Sequence, residues 1–169
     1  MRILGIDPGS WKTGYGLIES KDFSVIACGT ICLPRTSHAQ SLGVLWRELE
    51  NVFSQNRPDC VIVERIFYGR SIASALVLGQ ARGVALAAAG FWHCDCHEYT
   101  ACEVKGAVAG HGHASKEAVA AAVRMYAKFQ GEFDTLDASD ALALALCHML
   151  KPAKKKKRLS LAESLEHVL

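Results

Sequence analysis

Four acidic residues lie where apolar segments of the chain begin or end. Asp7 ends one apolar run, Glu64 ends another, and Asp137 and Asp140 open a third. An ionised carboxylate beside a buried segment is costly unless something compensates its charge. We therefore expect the four acids to share one cation site, whose oxygen ligands suit Mg²⁺ or Mn²⁺. Carboxylates gathered around two such ions are typical of enzymes that cut phosphodiesters.

Three of the four acids also have an ordinary structural explanation. Asp137 and Asp140 stand three residues apart near the start of a predicted helix, where the helix dipole favours acids whatever their function. Asp7 precedes Pro8-Gly9, which is a turn sequence. Glu64 is harder to explain in this way, because it ends a short strand of almost wholly apolar residues.

The elements that must position these acids follow from hydrophobic periodicity. Strands are predicted at 2–7, about 13–20, 23–33, 59–64 and 94–99, and helices at 40–56, 71–90, 100–109, 115–128 and 136–150. Close succession makes the first three strands an antiparallel meander, and the helical crossovers predict an α/β fold with a mixed sheet flanked by helices. If the first strand and the strand at 59–64 are parallel neighbours, Asp7 and Glu64 emerge at the same end of the sheet.

Length and charge divide the chain into a body and a tail. The 169 residues suit one domain, which we assign to residues 1–150. That body holds 13 Lys/Arg and 15 Asp/Glu, a balance of −2, whereas residues 151–169 hold 6 Lys/Arg and 2 Glu, a balance of +4. We expect residues 151–169 to be a flexible basic tail, either an arm that binds DNA phosphate or a solvated end without a role.

The cysteines and the apolar segments indicate a reduced cytoplasmic protein. Seven cysteines occur, an odd number at irregular spacing, and several lie in apolar runs. The pattern Cys94-Asp-Cys96, flanked by His93 and His97, invites a zinc interpretation, but its spacing is not that of usual zinc sites and favours ordinary strand residues. We expect neither a signal peptide nor a transmembrane helix.

Three further residues are candidates for DNA contact. Phe67 begins a predicted loop that follows Glu64, where it would stack on a base or tuck into the core. Lys105 and Lys116 flank a glycine-containing loop, and Ser115 is a candidate N-cap for the helix that follows. Without the acidic cluster, two solvated lysines would be the favoured interpretation.

Taken together, these motifs resemble the Holliday junction resolvase family RuvC. The opening ILGIDPGSWKTGYGLI is similar to the first strands of that family, and VIVERIFYGRSIASALVLGQARGVALAAA to its second acidic segment and the following helix. The stretches VKGAVAGHGHASKEAV and DTLDASDALALALCH are similar to its C-terminal part. The resemblance covers about residues 2–150, and its motifs occur in family order.

The resemblance implies an RNase H-like fold, a homodimer, and endonucleolytic cleavage of four-way DNA junctions with two Mg²⁺ ions per active site, for which Mn²⁺ would substitute. It also implies partnership with the RuvA–RuvB branch-migration complex. The family's roles fall on the following residues: catalysis and metal binding on Asp7, Glu64, Asp137 and Asp140, base stacking on Phe67, and DNA contact on Lys105 and Lys116.

Two other function classes remain open from the residues. Sugar kinases and actin-like ATPases also open with a strand, an Asp and a glycine-rich turn, but they need a second domain for which 169 residues leave no room. A junction-binding protein that no longer cuts is the second alternative. The presence of all four acids argues against it, and a nicking assay on a synthetic junction discriminates the two.

Overall fold

A computed structural model describes residues 1–65, 72–127, 129, 133 and 135–151. The described elements comprise five strands and five helices: β1 (Arg2–Pro8), β2 (Lys12–Glu19), β3 (Val25–Cys32), α1 (His38–Asn56), β4 (Cys60–Glu64), α2 (Ile72–Phe91), β5 (Asp95–Tyr99), α3 (Ala101–Ala109), α4 (Lys116–Tyr126) and α5 (Leu136–Leu150). Every element predicted from the periodicity is present.

The strands form one mixed sheet in the order β3-β2-β1-β4-β5. β1, β2 and β3 pair antiparallel, whereas β4 lies parallel to both β1 and β5. The β1–β4 register pairs Ile6 with Val63, so Asp7 and Glu64 follow side by side. The prediction that both acids emerge at one end of the sheet is therefore confirmed.

Helices cover both faces of the sheet, and each face has its own apolar core. One core contains Leu4, Ile6, Val61 and Val63 with the buried faces of α1 and α2. The opposite core contains Ile3 and Ile62 with α3, α4 and α5. Because side chains alternate along a strand, Asp7 and Glu64 point towards the second face, the one covered by α5.

α5 lies unusually close to the sheet because glycines face it. A Cβ atom at Gly5 of β1 would overlap the backbone oxygen of Ala141, and one at Gly14 of β2 would overlap that of Asp137. The helix is buried along most of its length, from Ala138 to Cys147. This close approach fixes the position of the first turn of α5 against the carboxyl end of β1.

α2 is the single helix in the described part of the chain that is long and apolar enough to span a membrane, with a mean hydropathy of 1.5. Its alanines Ala81, Ala85 and Ala88 are nevertheless buried in the domain. Arg82, in the middle of the helix, forms an ion pair with Glu98 of β5. The contacts of α2 are thus those of a helix packed on a sheet.

Candidate active site

The carboxyl groups of Asp7 and Glu64 lie in hydrogen-bonding contact at the ends of β1 and β4. Burial, the hydrogen bond to Glu64, and the charges of Glu64 and Asp140 together raise the pKa of Asp7 to about 8, against an ordinary value of 3.8. Without a metal ion, the protonated form of the Asp7 carboxyl is therefore favoured over the ionised form to higher pH than is usual for an aspartate. Burial and the crowding of carboxylates both raise a carboxyl pKa in this way.

The first turn of α5 brings Asp140 to the same place. Thr135 caps this helix by accepting the backbone N–H of Ala138, at 3.4 Å. Asp140 faces the strand ends, and its negative charge contributes to the raised pKa of Asp7. Asp137 lies one turn earlier on the same helix, with its backbone oxygen against Gly14.

Lys116 provides a positive charge to this acidic cluster. Its Nζ donates a hydrogen bond to Asp140 Oδ2 at 2.8 Å. That bond, together with the charges of Asp140, Asp7 and Asp137, raises the pKa of Lys116. Ser115 caps α4 as predicted, accepting the N–H of Ala118 at 3.2 Å, and so fixes Lys116 as the first residue of that helix.

A cavity of about 500 Å³ opens at this end of the sheet. The wall of this cavity contains five of the residues predicted from the sequence: Asp7, Glu64, Asp140, Lys105 and Lys116. Asp137 borders the cluster without lining the cavity. Phe67 lies outside the described residues, as does the tail from residue 152 onwards.

Two cavity residues carry polar groups that the sequence analysis did not assign to the site. Ser10 follows the Asp7-Pro8-Gly9 turn, and Arg65 follows Glu64. Their closeness in sequence to Asp7 and Glu64 was the signal that could have identified them. Lys116 was predicted, but as a DNA contact. Its pairing with Asp140 was not foreseen, because the two residues are 24 positions apart on different helices.

The donor groups of this cavity suit a hard divalent cation. Asp7, Glu64 and Asp140 offer carboxylate oxygens, the ligand type that Mg²⁺ and Mn²⁺ prefer. Among the described residues, Lys116 is the cation bonded to the cluster, and burial together with the neighbouring carboxylates still raises the pKa of Asp7. The residues thus fit a bound divalent metal.

Comparison with known proteins agrees with this geometry. Residues 3–148 match the family model described as crossover junction endodeoxyribonuclease RuvC. The chain belongs to the RuvC family. The RuvC match accounts for nearly all of the described residues, so the sugar kinase and actin-like alternatives no longer apply.

Individual RuvC proteins match over most of their length. The crossover junction endodeoxyribonuclease RuvC of Pelodictyon phaeoclathratiforme is 45% identical over 159 residues, covering 92% of this chain and 83% of the relative. That of Alkalilimnicola ehrlichii is 44% identical over 150 residues, covering 88% and 90%. The structure of Thermus thermophilus RuvC in complex with a Holliday junction superposes with a TM-score of 0.82 at 31% identity, covering 89% of this chain and 93% of that one. The RNase H-like α/β fold is thereby confirmed.

Proposed function

We propose that this protein is a structure-selective endonuclease that resolves four-way DNA (Holliday) junctions in recombination and repair. It nicks two strands symmetrically and leaves 5′-phosphate and 3′-hydroxyl ends. The observation that carries the proposal is the convergence of Asp7, Glu64 and Asp140 with Lys105 and Lys116 on one cavity, in a chain that belongs to the RuvC family.

We assign the binding of two Mg²⁺ ions, replaceable by Mn²⁺, to Asp7, Glu64, Asp137 and Asp140. Bound there, the ions would supply Lewis-acid chemistry, making a water more acidic and neutralising charge on the scissile phosphate and its leaving 3′ oxygen. Asp7 must give up its proton before it can act as a ligand, because a protonated carboxyl does not bind a hard cation. The α5 acids meet the strand acids because glycines allow that helix to lie close to the sheet.

The lysines of the cavity bind the DNA backbone in this proposal. When metal ions are bound to the acids, Lys116 exchanges its hydrogen bond to Asp140 for one to a phosphate oxygen. The exchange is possible because the carboxylate and the phosphate are both anionic acceptors. Lys105 lines the same wall and contacts a second phosphate. Phe67 stacks on a base beside the cut, a role that rests on the family resemblance because this residue lies outside the described part of the chain.

The active form is a homodimer, and α2 provides its interface. A four-way junction has approximate two-fold symmetry, which a C₂ dimer with two sites matches. α2 exposes Ile72, 81% accessible, and Leu76, 64% accessible, on the side away from the sheet. Farther along the helix, side-chain positions at Gly79 and Gly83 meet no atom within 4 Å, which leaves space for an approaching helix.

The RuvA–RuvB complex is the proposed partner, and the cytoplasm is the proposed location.

A nicking assay on a synthetic four-way junction tests the proposal. We expect paired nicks with Mg²⁺, and binding without cutting with Ca²⁺. Asp7→Asn should bind the junction nearly as well as the native protein but lose cleavage, because one of the carboxylates that would hold the metal ions is gone. Asp22→Asn, an exposed acid in the β2–β3 turn at the other end of the sheet, is the matched control. Substantial Mg²⁺-dependent cutting by Asp7→Asn contradicts the assignment, and a native protein that binds without cutting favours the non-cleaving alternative.

A further inference from the structure

A second group of metal-ligating side chains lies at the opposite end of the sheet. Cys60 is the first residue of β4, His97 lies in β5, and His148 lies in the last turn of α5. One donor atom from each side chain falls within 4.8 Å of the other two. Cys60 Sγ is 3.9 Å from His148 Nε2, and the two imidazole centroids are 4.5 Å apart.

Strand register and helix position bring these residues together. In the parallel β4–β5 pair, Cys60 lies opposite Asp95 and Ile62 opposite His97, so Cys60 and His97 are diagonal neighbours on the α5 face. α5 crosses that face and ends beside them. Cys60 is 3% exposed, which shields its sulfur from bulk solvent.

The separations are close to those of a tetrahedral zinc site. Zn–S bonds of about 2.3 Å and Zn–N bonds of about 2.0–2.1 Å place the sulfur about 3.6 Å from each nitrogen and the nitrogens about 3.4 Å apart. The observed donor atoms, none more than 4.8 Å from another, reach this arrangement by small side-chain rotations. Mixed thiolate and imidazole ligands suit Zn²⁺ rather than Mg²⁺.

Tyr99 orients one of the histidines for this role. Its hydroxyl oxygen lies 2.9 Å from His148 Nδ1. When Nδ1–H donates to that oxygen, Nε2 keeps its lone pair on the side of Cys60. A hydrogen bond to the second ring nitrogen is the usual support of a metal-binding histidine.

An open route leads to the cluster. His97 and His148 line a cavity of about 1260 Å³, together with Tyr99 and Glu103. Through it a cation can enter, and a water molecule can complete the fourth position. Arg65 borders both this cavity and the one at the acids, but His148 lies eight residues beyond Asp140 on α5, about 12 Å along the helix axis.

We propose that Cys60, His97 and His148 form a Zn²⁺ site that ties the C-terminal end of α5 to β4 and β5. On binding, the Cys60 thiol releases its proton to solvent, and one Zn–S bond and two Zn–N bonds replace Zn–O bonds to waters of the hydrated ion, which return to solvent. The ion stabilises the fold, because the three ligands lie on separate elements and are not held together in the unfolded chain. The proposal is independent of the nuclease assignment.

Cobalt spectroscopy on the full-length protein tests it. Co²⁺ added to metal-free protein, with excess Mg²⁺ present, should give a thiolate-to-cobalt charge-transfer band at one equivalent, and Zn²⁺ should displace it. Carboxylate sites give no such band, so the acids at the other end of the sheet do not interfere. Cys60→Ser should abolish the band, whereas Cys32→Ser, at an exposed cysteine on the edge strand, should retain it.

Two further variants keep the test decisive if Cys60→Ser does not fold. His97→Gln, at a partly exposed position, should lose the thermal stabilisation that Zn²⁺ gives the native protein. Tyr99→Phe should weaken Zn²⁺ binding by about 10–100-fold and leave the charge-transfer band in place, as expected for a positioning residue. A native protein without the band, or equal Zn²⁺ stabilisation of His97→Gln and the native protein, overturns the proposal.

Discussion

Lys116 Nζ lies 2.8 Å from Asp140 Oδ2, so a residue expected to bind DNA is hydrogen-bonded to one of the acids expected to bind metal. The lysine is 56% exposed and the aspartate 22% exposed, which places the pair at the mouth of the cavity. At such exposure the bond is screened and easily exchanged. The ammonium group of Lys116 can therefore bind a phosphate once a bound metal ion neutralises the carboxylate of Asp140.

Lys116→Gln should weaken junction binding and reduce its salt dependence. Each lost phosphate contact lowers the slope of log affinity against log salt by about one. Fluorescence anisotropy at several salt concentrations, in Ca²⁺ to prevent cutting, measures both quantities. Lys21→Gln, an exposed lysine in the β2–β3 turn, should leave the slope unchanged. An unchanged slope for Lys116→Gln would identify Lys116 as a partner of Asp140 without a DNA contact.

The metal-free protein should lose stability as pH rises from about 4 to about 8. The pKa of Asp7 is about 8 in the folded state against 3.8 ordinarily, so in this window the folded chain keeps a proton that the unfolded chain has released. The free energy of unfolding must then fall with rising pH. Asp7→Asn should flatten this dependence and raise Tm near pH 8, by about 2–4 °C for each kcal/mol recovered.

Thermal unfolding in chelator at several pH values from 5 to 8 measures this effect. Asp22→Asn again serves as the control, since its carboxyl lies far from the cluster. Parallel Tm curves for Asp7→Asn and the native protein would show that the Asp7 carboxyl is ionised throughout this range.

Phe67→Ala should fold normally but cleave junctions less efficiently. Stacking of an aromatic side chain on a base contributes about 1–3 kcal/mol. Circular dichroism checks the fold, and single-turnover cleavage measures the loss. Phe91→Ala, at an exposed phenylalanine that ends α2, is the control. Unfolding of Phe67→Ala would assign that residue to the core instead.

Leu76→Glu should convert the proposed homodimer into a folded monomer. A charge in the middle of the apolar face of α2 would be buried without a partner if the dimer formed. Sedimentation velocity at micromolar concentration measures the oligomeric state. Met125→Glu, at a similarly exposed apolar residue of α4, should leave it unchanged. A Leu76→Glu dimer would place the interface elsewhere.

Deletion of residues 152–169 should raise the Kd for junction and duplex DNA alike, with a shallower salt slope. The body has a net charge of −2, so a cationic arm aids its approach to DNA. The preference for junctions should hardly change, because phosphate contacts carry little structural information. The deletion spares Lys151, which pairs with Glu103 at 2.8 Å. Identical affinity and slope would show that the tail has no part in DNA binding.

The sequence by itself determined the elements of the fold and the location of the acids along them. Apolar periodicity is a local property, so it predicted the ends of each strand and helix to within two residues. It also identified Asp7 and Glu64 as strand-end residues. Their emergence at one end of the sheet depended on their strands being parallel neighbours, as β1 and β4 are. The RNase H-like fold and the RuvC family were recognised from the same motifs.

The tertiary structure decided which side chains actually meet. Asp137 and Asp140 look equivalent in sequence. Positions three apart on a helix differ by about 60° around its axis, however, and of the two acids it is Asp140 that lines the cavity. The pairing of Lys116 with Asp140 depends on how α4 packs against α5. The grouping of Cys60, His97 and His148 depends on strand register and on where α5 ends. Contacts between residues distant in sequence are set by packing, which no local pattern encodes.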